Sequence, residues 1–246
     1  MVNLNNKPVF VLVHGAWATP FAYATVSQNL KAQGFEVIIP LLPGHGDDNT
    51  DPKDLHMQSY VTHIVEGIKQ INQKVILVGH SMAGIIVSGV AEAIPNLVEK
   101  LIYIAAYVPK SGQSAYALSL QDTQSLLGAS LIVSPDQSTF DIVRENITNI
   151  FCQDAGEKVQ EEILEHYKPE PAAPFSDEVL LTDKNFGSIK KFYVETLNDN
   201  GIGNLLQKQM VSDAGIQDVY TLETGHFPML TQPDKLSTIL EEIAVL

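Results

Sequence analysis

Four short apolar runs, each followed by a longer stretch of different periodicity, set the tightest limit on what this chain can fold into. They are Val9-Phe10-Val11-Leu12-Val13, Glu36-Val37-Ile38-Ile39-Pro40, Lys74-Val75-Ile76-Leu77-Val78 and Leu101-Ile102-Tyr103-Ile104-Ala105-Ala106. Their length and β-branched content suit buried strands rather than helices. Residues 21–33, 57–71 and 82–94 read as helices instead. Tyr60, Ile64, Val65, Ile68 and Ile71 recur at helical spacing, Gly34 stops the first helix, and Pro95 stops the third. Strands apolar on both faces and joined through helices make a parallel sheet covered on both sides.

The texture changes after Pro109. Between Lys110 and Gly187 few strand-like runs occur, polar helical stretches such as residues 157–167 dominate, and Pro169, Pro171 and Pro174 close the region. Strand grammar returns with residues 191–196 and 218–222, and a last helix is expected over 233–244. The expected organisation is an α/β core of residues 1–109 and 188–246, interrupted by a helical cap at 110–187.

Composition narrows the partners. Acidic residues outnumber basic ones by 29 to 15, giving a formal charge of −14. Such a surface repels phosphate backbones and anionic lipid heads, so neither nucleic acid nor membrane is expected. A small molecule is the expected partner, and a homodimer is compatible with it. Cys152 is the single cysteine, so no intrachain disulfide can form, and it reads as a small buried hydrophobe. The stretch Met1-Val2-Asn3-Leu4-Asn5-Asn6-Lys7 lacks the basic, apolar, small-residue order of a secretion signal, which suggests a cytoplasmic protein.

The chemistry is expected at Gly79-His80-Ser81-Met82-Ala83. A serine hydroxyl must be exposed to act as a nucleophile. The Gly-x-Ser-x-Gly pattern achieves this on a sharp strand-to-helix turn, where small neighbours avoid clashes. Ala83 departs from the last glycine, and Gly84 follows it. The backbone amide of Met82, at the helix start, is one candidate oxyanion donor. The amide of Ala16, in Val13-His14-Gly15-Ala16-Trp17, is the other.

Of seven histidines, only His226 follows the last strand, so it is the candidate base. Asp199, in the loop after the preceding strand, is the candidate acid, with Glu195 as a weaker alternative. His14 and His80 flank the glycines and are expected to shape the pocket floor. His14, Trp17, Phe227 and Met229 are expected to bind substrate, the last three as apolar residues flanking the candidate segments in sequence and His14 as the neighbour of Gly15. The cap aromatics Phe140, Phe151, Tyr167 and Phe175 are expected to pack on one another.

Neither a metal nor a cofactor is expected. Asp47, Asn49 and Asp51 begin like a calcium loop, but Pro52 and Gln58 stand where glycine and glutamate are required. No zinc spacing or phosphate-binding loop occurs.

The segments Val13-His14-Gly15-Ala16-Trp17, Leu42-Pro43-Gly44-His45-Gly46, Gly79-His80-Ser81-Met82 and Gly225-His226 resemble the plant methylesterase and hydroxynitrile lyase branch of the α/β hydrolases, and its bacterial carboxylesterase relatives. Residues 192–199, continuing to Gln207, fit the same branch and put Asp199 at the acid position. The resemblance implies an α/β-hydrolase fold, with a mostly parallel sheet flanked by helices and a helical cap inserted after the sixth sheet strand. It implies a serine carboxylesterase working through an acyl enzyme. The alternatives are lyase-type C–C cleavage or a non-catalytic small-molecule-binding protein. Lyase members of the branch carry a lysine after the histidine and a threonine at the Gly15 position. This chain has Phe227 and Gly15 there, which favours ester hydrolysis. Relatives often carry proline at the position of Gly203.

Overall fold

A computed structural model describes residues 7–246. The stretch behind the secretion-signal reading therefore lies, apart from Lys7, outside the described residues. Among the described residues nine strands follow in chain order: β1 (Val9–Val13), β2 (Glu36–Ile38), β3 (Val75–His80), β4 (Val98–Ile104), β5 (Leu131–Val133), β6 (Thr139–Ile142), β7 (Glu170–Pro171), β8 (Lys190–Thr196) and β9 (Asp218–Leu222). The longer helices are α1 (Ala24–Ala32), α2 (Met57–Gln70), α3 (Ala83–Ala93), α4 (Glu157–His166), α5 (Asn204–Asp213) and α6 (Pro233–Val245).

Six strands form one sheet in the order β2-β1-β3-β4-β8-β9, every pair parallel. All residues of β1 and β3 are buried. Helices cover both faces of the sheet, and unbroken apolar runs are what such burial requires. Lys100 is the one charged residue buried within β4. Its Nζ donates to the carbonyls of Ile243 and Ala244, so the cation meets the negative end of α6.

The chain leaves β1 toward β2 and then crosses back to β3 on the other side. Strand order therefore reverses between β1 and β3. A crevice opens at the carboxyl ends of strands at such a reversal, because the flanking connections diverge to opposite faces. The loops after β1 and β3 both emerge there.

Two expectations about the insertion are corrected. Only four strands precede Lys110, so the insertion follows the fourth strand of the sheet and not the sixth. The sequence before that point holds four apolar runs, and each makes a single strand. The insertion is also not purely helical: β5, β6 and β7 form an antiparallel sheet of their own. These strands have two to four residues, and Ile132 and Val133 are exposed, so no buried apolar run announces them. Among the described residues, no helix is long and apolar enough to cross a membrane.

Candidate active site

β3 ends at His80, and Ser81 occupies the left-handed region at φ 56° before α3 begins at Ala83. That backbone costs a non-glycine residue roughly 1–2 kcal/mol and persists only where the surroundings fix it. Here two glycines do so. A Cβ on Gly15 would lie 2.7 Å from the Ser81 Cβ, and one on Gly79 would lie 2.7 Å from the Ala83 carbonyl oxygen. Both β1 and α3 thus close on the turn to distances that only glycine permits. The Ala83 methyl is accommodated in full burial. The tight approach on the helix side falls instead on Gly84, where a Cβ would sit 2.0 Å from the Tyr107 carbonyl oxygen.

The sheet brings three distant side chains together. His226 Nε2 lies 2.9 Å from Ser81 Oγ, and His226 Nδ1 lies 2.8 Å from Asp199 Oδ2. With Nδ1–H donating to the carboxylate, Nε2 accepts from the hydroxyl. Asp199 follows β8, two strands beyond β3, and His226 follows β9 at the sheet edge, so the imidazole spans the strand ends to reach Ser81. Glu195, the weaker alternative acid, is also buried, but the carboxylate hydrogen-bonded to the imidazole is that of Asp199.

The Asp199 carboxylate is saturated with donors. Oδ1 accepts from the amides of Gly201 (2.7 Å) and Ile202 (2.8 Å), and Oδ2 accepts from Thr196 Oγ1 (2.7 Å) and Gln207 Nε2 (3.2 Å) in addition to His226. Acceptor-only geometry of this kind holds an ionised carboxylate in one orientation. Gly201 lets the imidazole lie against the acid loop, since a Cβ there would be 2.9 Å from His226 Cγ. Gly203 is fixed too: its amide donates to Asp122 Oδ2 at 2.7 Å, and a Cβ would meet Gln124 Cβ at 2.5 Å. A proline at that position would lose the donor, which accounts for this departure from the branch.

The two candidate oxyanion donors belong to segments that meet at the turn. Met82 follows Ser81 directly, and Ala16 follows Gly15, which touches it. Among the described residues neither amide donates a hydrogen bond within the protein.

His14 is not a substrate ligand, contrary to expectation. It is fully buried, its Nδ1 pairs with the Gly15 carbonyl at 3.0 Å, and its Nε2 accepts from the Leu42 amide at 3.2 Å. Both nitrogens are used in supporting the loop from beneath. Met229 is likewise wholly buried in the hydrophobic core and presents no surface to a ligand. Phe227 stands beside His226, and Trp17 is linked to that ring through Phe151. Phe227 lies 5.5 Å from the His226 ring, and both Trp17 and Phe227 line a narrow crevice with Phe21 and Ile163.

The cap aromatics do more than pack on one another. Phe151 sits 5.6 Å from the His226 ring and 5.8 Å from Trp17, and Phe175 is 6.0 Å from Trp17. Asp154, also from the cap, accepts from Thr224 Oγ1 and the Gly225 amide just before His226. Sequence reasoning missed these contributors, because nothing local distinguishes them from packing residues. Ser81 is 8% exposed under this aromatic cover. Larger surface cavities lie elsewhere: one of about 580 Å³ beside His56 and Val179, another of about 450 Å³ beside Gly44 and Pro171.

Two histidines under the site are held neutral. Burial, reinforced by the nearby His45 charge, pulls His14 down to about 3. Burial and then the neighbouring His226 hold His80 well below the ordinary imidazole value. His80 Nε2–H donates to the His226 carbonyl at 2.8 Å, fixing the backbone of the candidate base. The unfolded chain protonates these histidines near pH 6.5 and the folded chain does not. Stability therefore falls as pH drops below about 6.5, by about 1.4 kcal/mol per pH unit for each. Urea midpoints of wild type and His14→Gln measured from pH 6.5 to 4.5 check this. The variant should lose less stability over that range, and equal losses would refute the assignment.

The comparisons agree with this geometry. Residues 10–238 match the model of the alpha/beta hydrolase family. The chain is 29% identical to the protein named methylesterase 13 of Arabidopsis thaliana, over 96% of its own length but only 56% of that relative's. It thus spans little more than half of that longer protein. It is 26% identical to salicylic acid-binding protein 2 of Nicotiana tabacum, over 96% of each chain. Among solved structures, a pyrethroid hydrolase superposes with a TM-score of 0.87 at 22% identity, over 98% of both chains, a likeness of fold. With a parallel sheet reversed between β1 and β3, a serine on the turn after β3 and a family match covering nearly the whole length, this chain belongs to the alpha/beta hydrolase family.

Proposed function

We propose that the protein is a serine carboxylesterase for small, moderately hydrophobic esters, with Ser81 as nucleophile, His226 as base and Asp199 as acid. The observation that carries this reading is the unbroken line of contacts from Ser81 Oγ to His226 Nε2 (2.9 Å) and from His226 Nδ1 to Asp199 Oδ2 (2.8 Å). The names of the methylesterase relatives support the substrate class.

In this reaction His226 Nε2 takes the hydroxyl proton as Ser81 Oγ attacks the ester carbonyl carbon. The imidazolium is stabilised by Asp199, and the carbonyl oxygen becomes an oxyanion facing the Ala16 and Met82 amides. The C–O bond to the alcohol then breaks, and the departing oxygen takes the proton from Nε2. Water repeats the sequence on the acyl enzyme, releasing the acid and restoring Ser81. Admission of substrate requires the aromatic cover of Trp17, Phe151 and Phe227 to shift, a motion of the kind loops and lids make before chemistry.

Two features favour hydrolysis over cyanohydrin cleavage. A side chain at Gly15 would collide with Ser81, so the threonine of the lyase members cannot be seated on this backbone. The residue after the base is an aromatic ring packed on His80 at 4.8 Å and offers no cation to a departing cyanide. Purified protein should hydrolyse p-nitrophenyl acetate and be labelled once per chain by a serine-directed phosphonate. Cyanide release from a cyanohydrin, or ester binding with neither turnover nor labelling, would overturn the reading.

A further inference from the structure

Glu170 is a wholly buried carboxylate from the cap that the reaction above does not use. It stands on β7 and reaches three parts of the core. Its Oε2 accepts from the Trp17 backbone amide at 3.0 Å and from His45 Nε2 at 2.7 Å, and its Oε1 accepts from the Tyr60 hydroxyl at 3.3 Å. His45 Nδ1 faces the Pro43 carbonyl at 3.1 Å, so both ring nitrogens meet acceptors, the arrangement of an imidazolium. Trp17 is in the left-handed region at φ 55°, a conformation a tryptophan holds only under constraint. Its indole Nε1–H also donates to the cap, to the Phe140 carbonyl at 3.0 Å.

From this we infer that Glu170 is a positioning residue for the oxyanion hole, acting on the loop after β1 through the Trp17 amide. The inference rests on the esterase reading. Accepting from that amide fixes the plane of the peptide joining Ala16 to Trp17. With Gly15 wedged against Ser81 on the other side, the orientation of the Ala16 amide has little freedom left. Without Glu170 the Trp17 amide would face a buried space with no acceptor, and the loop would turn to find one. The cap is thereby an integral part of the catalytic geometry, as well as a cover. His45 neutralises the buried carboxylate, and Glu170 in turn raises the His45 imidazole above its ordinary value, against the effect of burial.

The test uses the full chain with active sites counted by phosphonate labelling. Glu170→Ala should lower kcat per labelled site about 10- to 100-fold while KM stays within about threefold, since a misaligned oxyanion donor is felt in the transition state. Glu170→Gln keeps a carbonyl oxygen for the Trp17 amide and should recover most of that loss. Trp17 is the only tryptophan, so its emission reports the clasp directly and should shift to the red in Glu170→Ala alone. Should the alanine variant fail to fold, Glu170→Asp, with charge kept but reach shortened, should show the same drop in kcat. If wild type turns over ester and the folded variants match it per labelled site, the esterase reading stands and this inference falls. A wild-type protein that cleaves no ester removes both. A loss confined to the number of labelled sites would mean Glu170 only supports folding, and would also overturn the inference.

Discussion

Replacing Ser81 by alanine should reduce kcat for p-nitrophenyl acetate by about 10⁵-fold or more, leave KM nearly unchanged and abolish phosphonate labelling. The magnitude follows from what the hydroxyl does. It is the atom that forms the acyl bond, so its removal leaves only the oxyanion donors and substrate binding, which act on water far less effectively. Stability should not fall. Ser81 holds φ 56°, which alanine tolerates no worse than serine, and the side chain's one close polar partner is His226. Stopped assays with active-site titration check the rate, and thermal melts check the fold. A folded Ser81→Ala protein that hydrolyses the ester at the wild-type rate would place the chemistry elsewhere.

Asp199→Asn should cost about 10⁴-fold in kcat with little change in KM. Two donors, the Gly201 and Ile202 amides, fix Oδ1 as an acceptor, so the new carboxamide must turn its oxygen toward them. Its NH₂ then faces the Thr196 hydroxyl, Gln207 Nε2 and His226 Nδ1. Donating to Nδ1 forces the imidazole proton onto Nε2, and a protonated Nε2 cannot take the serine proton. The same substitution sets donor against donor at Gln207, so a modest loss of thermal stability should accompany it. The decisive readout is the split between kcat and KM. If KM rises while kcat holds, Asp199 shapes substrate binding and does not orient the base.

Part of this was legible in the residues alone. The runs around Val11, Ile76 and Ile102 declare a doubly covered sheet because a strand buried on both faces can hold only apolar side chains. Ser81 was recognisable because a left-handed turn between strand and helix demands small neighbours, and Gly79 leaves a visible trace of that demand. His226 and Asp199 could be located because the loops after consecutive strands of a parallel sheet all emerge at one end. In each case a local pattern carries the constraint.

What the chain order hides is contact between segments with no periodic signature. The cap sheet escaped notice because β7 is two residues, one of them proline, held by pairing with β6 rather than by apolar content. His14 adjoins Gly15 and Met229 lies three residues after His226, but closeness in sequence to a site segment does not set the direction in which a side chain points. Phe151, Asp154 and Glu170 read as ordinary cap residues, yet each touches a loop of the active site.

The sequence by itself determined the strand-and-helix alternation, the strained turn and the order of Ser81, Asp199 and His226 on loops after successive strands, since each follows from short-range sterics and spacing. Only the tertiary structure decided how the cap grips the site. Glu170 and Trp17 are 153 positions apart, and a buried carboxylate finds its donors through the packing of whole layers, which no local pattern encodes.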